Sequence, residues 1–150
     1  MTTFTSLDEL RAAVGSELGA AGPILVTQDR INGFADVTED HQWIHIDAER
    51  AAAGPFGTTI AHGYLTLSFV APFLESLLVV EGVKATLNYG LDSVRFPTPV
   101  PSGSEVSATA VLAEVADKPG GAEVRVKLTM TIPTSPKPVC VATVVMRIVE

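Results

Sequence analysis

The segment most informative about the fold is YLTLSFVAPFLESLLVV, residues 64–80. Wound as a helix, it is apolar on nearly every side, which is typical of a helix enclosed by other parts of a protein. It is shorter than the roughly 20 apolar residues that span a bilayer, and it contains Pro72 and Glu75. We therefore predict a buried helix that follows Gly63 and is bent or interrupted near Pro72, because proline has no backbone N–H to donate.

From Lys84 onward the hydrophobic pattern changes to a period of two. In residues 123–132, apolar side chains alternate with Glu, Arg, Lys and Thr, which is typical of a strand with one buried face. Strands are also predicted for three other segments: residues 84–96, 104–116 and 139–149. Residues 118–121, KPGG, predict a hairpin turn, and the prolines of residues 97–101 interrupt the pattern.

Long strands that follow one wholly apolar helix predict an α+β fold, in which a curved antiparallel sheet of about five strands wraps around the helix. No repeat or linker divides the chain, so we expect residues 1–150 to form one domain. A sheet of this kind has unpaired edges, which favour pairing with another chain. We expect a homodimer in which the sheet continues across the interface.

Upstream of the apolar helix, three polar residues mark the starts of shorter helices. Ser6 with Glu9 has the pattern of a capping box, and Thr27 precedes a second helical pattern. Asp47 is expected to cap a short turn of helix that runs through Ala53.

The overall charge and the cysteine content restrict the partners and the compartment. The formal net charge is −7, and an acidic protein repels nucleic acid and anionic membranes, which argues against both as partners. The single cysteine, Cys140, lies in an apolar strand-like run and is expected to pack in the core. The N-terminal residues lack the features of a signal peptide. These observations predict a cytoplasmic protein.

Side chains capable of chemistry are concentrated in TEDHQWIHID, residues 38–47, which has no regular periodicity. Asp40 and His45 in one irregular loop suit general acid–base chemistry. Two other interpretations remain open. One is a polar surface loop whose aspartates cap turns. The other is a metal site of His41, His45 and Asp47, which lacks the helical pattern needed to bring i and i+4 residues together.

A glycine-rich stretch, GPFGTTIAHG (residues 54–63), leads from this loop into the apolar helix. The start of a helix carries free N–H groups and a positive dipole, so a substrate carbonyl at Gly63 would be polarised. Glycine also allows a ligand to approach the backbone closely. A plain helix start explains Gly63 equally well. For His62, the interpretation we favour is a structural histidine that ties the turn together.

The segment FADVTEDHQWIHIDAERAAAGPFGTTIAHGYLTL, residues 34–67, resembles the signature of MaoC-like (R)-specific enoyl-CoA hydratases, and their nodulation-protein-N-like subgroup in particular. Asp40, His45 and Asp47 match the family pattern Asp-x-Asn-Pro-aliphatic-His-x-Asp, and His62-Gly63 matches its later His-Gly pair. VRFPTPVPSGSEV, residues 94–106, is similar to a further family segment.

The chain departs from the family pattern at three positions. Gln42 and Trp43 replace the usual Asn-Pro. Ala71 stands where some members carry a hydroxyl residue, and Ser68 offers a hydroxyl one turn earlier. These departures concern the orientation of the substrate more than the type of reaction.

The resemblance implies a dimeric hot-dog fold with its site near the subunit interface. It implies that the protein adds water to a trans-2-enoyl-CoA thioester to give an (R)-3-hydroxyacyl-CoA, with no cofactor and no metal. Asp40 would be the base, His45 would hold the same water, and the Gly63 N–H would stabilise the thioester oxygen. A carboxylate buried beside the apolar helix would have a raised pKa. The other expected substrate contacts are Gln42, Trp43, His62, Tyr64 and Asn88.

Two other functions remain open at this point. An acyl-CoA thioesterase would bind the same substrate and also use a carboxylate, although the Asp40/His45 pair with the later His-Gly favours hydration. A non-catalytic protein that binds acyl thioesters would keep the fold without needing either side chain.

Overall fold

In a computed structural model that describes residues 2–150, a five-stranded antiparallel sheet packs against two consecutive helices. The strands are β1 (Thr2–Phe4), β2 (Glu17–Val26), β3 (Leu78–Val80), β4 (Ala85–Arg95), β5 (Ser104–Lys118), β6 (Gly121–Thr131) and β7 (Cys140–Val149). The helices are α1 (Leu7–Ala12), α2 (Gln28–Thr38), α3 (Trp43–Ile46), α4 (Ala48–Ala52), α5 (Gly63–Ser68) and α6 (Val70–Leu77). The predicted α+β architecture of a helix wrapped by an antiparallel sheet is confirmed.

The main sheet has the strand order β2-β5-β6-β7-β4, and each neighbouring pair is antiparallel. Strands β4 to β7 lie where the alternating pattern predicts them. The predicted hairpin is also confirmed, because Lys118 at the end of β5 pairs with Gly121 at the start of β6. A separate parallel pair joins β1 to β3. Strand β4 is therefore one edge of the main sheet.

Strand β2 is not predicted by the sequence, because Gly19 and Gly22-Pro23 resemble a turn. In the structure, these residues coincide with two shifts in the pairing of β2 with β5. Gly22 has φ 107, and a Cβ atom there would lie 2.9 Å from the carbonyl oxygen of Val106 on β5. Close approach of the two strands thus requires glycine, and pairing with β5 overrides the local turn preference.

The predicted buried helix is broken into α5 and α6, with Phe69 between them. Pro72 is the third residue of α6, and its nitrogen has no hydrogen to donate to the carbonyl of Ser68. The predicted end of the helix is wrong, because the chain leaves α6 at Leu77 and residues 78–80 pair with the N-terminal strand. No helix in the part of the chain that the structure describes is long and apolar enough to cross a membrane.

The α5–α6 pair is enclosed on only one side. Leu65, Phe73 and Leu77 are buried against the sheet, whereas Tyr64 is 71% exposed. In a single chain, the sheet therefore covers one side of this predicted buried helix and leaves the other side open. Its open side borders a groove of about 270 Å³, which runs between the helices and edge strand β4.

The three predicted helix caps are confirmed. In each, a side-chain oxygen accepts a hydrogen bond from the backbone N–H three residues later, at 3.0–3.2 Å: Ser6 from Glu9, Thr27 from Arg30, and Asp47 from Arg50. Helix α2 buries Ile31 and Ala35 completely and packs against α3. Its C-terminal end is thereby held next to the segment that carries the candidate catalytic residues.

Cys140 lies on β7 with its side chain completely buried. Burial raises the pKa of its thiol to about 11, because a thiolate is poorly solvated in an apolar environment. The predicted packing of Cys140 in the core is confirmed, and the thiol is held in its unreactive protonated form.

Two glycine substitutions test the packing of the sheet. Gly121 has φ 147, and a Cβ atom there would overlap the carbonyl oxygen of Ile148 on β7. We expect Gly121→Ala to lower the free energy of unfolding by about 1–3 kcal/mol, because backbone atoms of β7 would have to move. Gly33 in α2 has no neighbour around its Cβ position, so Gly33→Ala should raise stability by about 0.5–1 kcal/mol. Urea denaturation of both variants is the measurement, and equal effects would contradict this packing.

Candidate active site

His45 lies in the short helix α3 and is 6% exposed. Its Nδ1 atom is 2.7 Å from the backbone carbonyl oxygen of Ile60. Because a carbonyl oxygen only accepts hydrogen bonds, Nδ1 carries the proton in this contact. In the neutral ring, Nε2 is therefore unprotonated and is available as an acceptor.

The surroundings of His45 favour this neutral form. Burial lowers the pKa of His45, and positive charge on the neighbouring His62 would act in the same direction. The hydrogen bond to Ile60 and the negative charge of Asp40 oppose this effect and raise the pKa. The lowering prevails, so near neutral pH the imidazole of His45 is an acceptor of protons rather than a cation.

Asp40 follows the C-terminal end of α2, where the chain turns through Glu39 in the left-handed conformation at φ 63. The residue is exposed in the single chain, so the expectation of a buried carboxylate is wrong. Its carboxylate lies beside the histidines, because one ligand atom each from Asp40, His45 and His62 lie within 4.8 Å of one another. The turn after α2 thus brings a solvated carboxylate next to a buried imidazole.

His62 immediately precedes α5 and is 2% exposed. Its Nε2 atom is 2.9 Å from the backbone carbonyl oxygen of Asp40, to which it donates. Its ring stacks on that of His45, with the ring centroids 3.8 Å apart and the planes inclined by 23°. His62 therefore contacts both predicted catalytic residues and ties the start of α5 to the Asp40 turn.

The geometry does not suit a metal ion. The lone pairs of an imidazole lie in the plane of its ring, so two stacked rings direct their nitrogens side by side rather than toward one point. The alternative set of His41, His45 and Asp47 is not brought together either. His41 is exposed and lies 3.0 Å from Asp36, while Asp47 caps α4 through Arg50.

A cavity of about 340 Å³ adjoins His45 and Gly63, and its other lining residues are almost entirely apolar. Phe96 contributes one wall, and its ring lies against Gly63 so closely that a Cβ atom there would be 3.2 Å from two ring carbons. Glycine at this position thus leaves room for the ring of Phe96. The cavity provides space for an apolar group next to the imidazole.

The remaining predicted contacts do not line the cavity beside His45. Trp43 packs against Gly54 and lies under the guanidinium of Arg50, which is 4.4 Å from the ring centroid. Gln42 is exposed. Tyr64 is also exposed and contacts Phe96 edge-on. Asn88 lies on β4 and lines the groove beside Ala71, apart from His45.

Two residues that support the site are not predicted by the sequence. The side-chain amide of Gln28 on α2 donates to the backbone carbonyl of His45 at 2.7 Å. The hydroxyl of Thr59 donates to Gln28 at 2.5 Å. These contacts join residues that are 17 and 31 positions apart, so no local pattern in the sequence signals them.

Comparison with known proteins finds a family that the chain matches and several proteins that it resembles. Residues 9–132 match the family described as "MaoC like domain". The chain is 49% identical over 150 residues to 3-hydroxyacyl-thioester dehydratase Z of Mycobacterium tuberculosis, covering 99% of each protein. It is 47% identical over 111 residues to nodulation protein N of Rhizobium leguminosarum bv. viciae, covering 73% of this chain and 69% of that protein.

Solved structures share the fold. The monoamine oxidase regulatory protein from Archaeoglobus fulgius superimposes with a TM-score of 0.80 at 26% identity, covering 99% of this chain and 95% of that one. The (R)-hydratase from A. caviae superimposes with a TM-score of 0.72 at 21% identity, covering 89% of this chain and 94% of that one.

The lowered pKa of His45 predicts how stability depends on pH. Above about pH 6.5, the ordinary pKa of an exposed histidine, His45 is neutral in the folded and unfolded states. Below that pH the unfolded chain binds a proton that the buried ring takes up less readily, so stability is lost as the pH falls. His41 has a raised pKa and acts in the opposite direction.

Comparison of the wild type with His45→Gln isolates the contribution of His45, because His41 is present in both proteins. We expect the wild type to lose more stability than the variant between about pH 7 and about pH 5. Urea denaturation across this range measures both curves. Curves that remain parallel would contradict the lowered pKa.

Proposed function

The chain belongs to the MaoC-like dehydratase domain family, and we propose that it catalyses the reversible, (R)-specific addition of water to a trans-2-enoyl-CoA thioester. The forward product is an (R)-3-hydroxyacyl-CoA, and the reverse reaction is a dehydration. The whole chain is proposed to act as one domain without a cofactor. The observation that carries this proposal is the position of the Asp40 carboxylate beside the buried ring of His45, whose Nδ1 donates to Ile60, next to an apolar cavity.

The separation of the two groups suits a shared water molecule. A water oxygen lies about 2.8 Å from each acceptor and its two O–H bonds diverge by about 105°, so one water bridges two acceptors that are roughly 4.4 Å apart. The ring nitrogen of His45 and the carboxylate of Asp40 are within 4.8 Å of each other. Because both are acceptors, they bind the two hydrogens of the water, and a lone pair of its oxygen is left to attack the substrate.

The proposed reaction transfers one proton by way of Asp40. As the water oxygen bonds to C3 of the enoyl thioester, the Asp40 carboxylate takes a proton from the water. The π electrons of the C2–C3 double bond move toward the thioester carbonyl, and negative charge develops on its oxygen. Asp40 then returns the proton to C2, which restores both the carboxylate and the carbonyl. His45 orients the water throughout.

The developing charge on the thioester oxygen needs a donor. The side chain of His62 does not cap α5, so the Gly63 N–H at the start of that helix is the group we assign to this oxygen. Gly63 and His45 line the same apolar cavity, which accommodates the part of the acyl group next to the reacting carbons. Water and proton reach the double bond from the side occupied by Asp40 and His45, which makes a single product configuration the expected outcome.

A homodimer is the second part of the proposal. Within residues 2–150, edge strand β4 has no partner on its outer side, and it exposes Leu87, Tyr89 and Leu91 by 52, 68 and 42%. A second copy that pairs its own β4 antiparallel to this one would satisfy the free backbone groups and cover these side chains. It would also cover the open side of α5 and α6, next to which β4 lies. A cytoplasmic location remains a prediction, which cell fractionation tests.

Isosteric substitutions of the pair test the reaction. We expect Asp40→Asn and His45→Gln each to lower kcat/KM for hydration of crotonyl-CoA by about 10²–10⁴-fold, because one loses the base and the other the acceptor that orients water. Loss of the enoyl-thioester absorbance measures the rate, and chiral chromatography identifies the product. His41→Gln is the matched control, because His41 is exposed and bonded to Asp36, and it should keep wild-type kcat/KM.

Three results would contradict the proposal. Turnover that survives both substitutions would exclude this mechanism and indicate that a different site carries the reaction. Release of free thiol without formation of a 3-hydroxyacyl-CoA would indicate a thioesterase. An (S) product would exclude the proposed stereochemistry.

The dimer is tested by placing a charge on the edge strand. We expect Tyr89→Asp to convert a dimer to a monomer, because a carboxylate would be buried in the interface. Val14→Asp also replaces an exposed apolar residue, 46% exposed and on another surface, and should leave the dimer intact. Sedimentation velocity measures both. A wild type that sediments as a monomer, or a Tyr89→Asp variant that remains dimeric, would contradict pairing through β4.

A further inference from the structure

Among residues 2–150, the structure contains a single buried polar side-chain atom without a hydrogen-bond partner, Nδ1 of His62. An unpartnered acceptor in the interior destabilises the folded state, so its presence calls for an explanation. His62 is not among the residues that line the cavity beside His45. Direct contact with the substrate is therefore not the role that the structure supports for it.

The contacts of His62 determine which of its nitrogens carries the proton. Nε2 donates to the carbonyl oxygen of Asp40 at 2.9 Å, so the neutral ring has its lone pair on Nδ1. Nδ1 has no hydrogen-bond partner, and the ring lies directly against that of His45.

Each contact of His62 acts on a different member of the proposed catalytic pair. The hydrogen bond from His62 holds the peptide carbonyl of Asp40. In the described part of the chain, the carboxylate of Asp40 accepts only one long hydrogen bond, at 3.4 Å from the Gln42 N–H. The stacked ring covers one face of the His45 imidazole at 3.8 Å. Phe34 on α2 packs against another side of His62, with the ring centroids 4.9 Å apart.

We propose that His62 is a positioning residue, which aligns the Asp40 carboxylate and the His45 ring on one water molecule through these two contacts. The inference rests on the proposed hydration and assigns His62 a part in it. A ring at this position covers His45 and limits its hydration, and a donor at this position fixes the turn that carries Asp40. These two contacts fix the orientation of the His62 ring. The ring therefore cannot rotate to find a partner for Nδ1, which remains without one.

The charged and titratable groups around the pair are few. The titratable groups that face His45 are Asp40 and His62. Phe34, on α2, and Ile60, on the segment before α5, contribute no charge. His41 and Asp36 bind each other at the exposed end of α2. A change in the titration of His45 on substitution of His62 therefore reports on the contact between the two rings.

Two substitutions separate the two contacts. His62→Phe keeps a planar ring that can stack on His45 but removes the donor to Asp40. His62→Gln keeps a donor for Asp40 but removes the ring. Val126→Ala, in the completely buried part of β6, is a control that lowers stability away from the site. Thermal melting of each variant identifies the fraction that is folded at the assay temperature.

We expect His62→Phe to lower kcat for crotonyl-CoA about 100-fold, the typical effect of misplacing a reacting group, with KM little changed. His62→Gln, which keeps a donor for Asp40, should lower kcat less than His62→Phe does. The acidic limb of its kcat/KM profile should shift to higher pH, because a more hydrated His45 has a higher pKa. Val126→Ala should retain the kcat of the wild type per folded molecule. A His62→Phe variant with wild-type kcat and pH profile would overturn the proposal.

A measurement independent of turnover distinguishes failure of this inference from failure of the proposed function. Nitrogen-15 NMR of the histidine rings measures the pKa of His45 directly, and we expect it to rise in His62→Gln relative to the wild type. If it rises while no enoyl thioester is hydrated by the wild type, the proposed function fails and the coupling of the rings remains. If the wild type hydrates crotonyl-CoA but the pKa of His45 is the same in both proteins, the role of His62 is overturned.

Discussion

The hydrogen bond from Nδ1 of His45 to the carbonyl of Ile60 is the contact on which the site depends. It fixes which nitrogen of the ring carries the proton and leaves the other as an acceptor. The same short segment is held from the opposite side, because the N–H of Ile60 donates to Ile44 at 3.0 Å and the N–H of Ala61 donates to Val100 at 2.8 Å. The carbonyl that sets the state of His45 is thus part of a rigid arrangement.

This arrangement connects the site to the rest of the fold. Gln28 on α2 donates to the backbone of His45, and Thr59 donates in turn to Gln28. Helix α2 is itself anchored in the core by Ile31 and Ala35. The orientation of the imidazole therefore depends on the packing of α2 and on the segment before α5, two parts of the chain that contribute no reacting group. Preorganisation of this kind is what the role proposed for His45, the orientation of a water molecule, requires.

Burial differs between the members of the site, and the difference suits the roles proposed for them. His45 and His62 are buried, whereas the Asp40 carboxylate is exposed. An exposed carboxylate is accessible to water, while a buried imidazole that is bonded to a backbone carbonyl holds its tautomer and its direction. The cavity next to His45 and Gly63 offers largely apolar walls for the proposed substrate.

The sequence by itself determined the features that depend on near neighbours along the chain. The caps at Ser6, Thr27 and Asp47, the hairpin at residues 118–121 and the alternating strands all arise from interactions within a few residues, and the structure confirms them. The motif around Asp40 and His45 likewise identified the family, which the comparisons confirm.

Tertiary structure alone decided what depends on contacts between distant segments. Strand β2 exists because β5 pairs with a stretch that resembles a turn, and residues 78–80 leave the helix because β1 pairs with them. The stacking of His62 on His45, 17 residues away, and the bond from Gln28 have no local signature. Such contacts gain their free energy from burial and hydrogen bonding that only the folded chain creates, and for this reason the sequence could predict candidate reactive residues but not their partners.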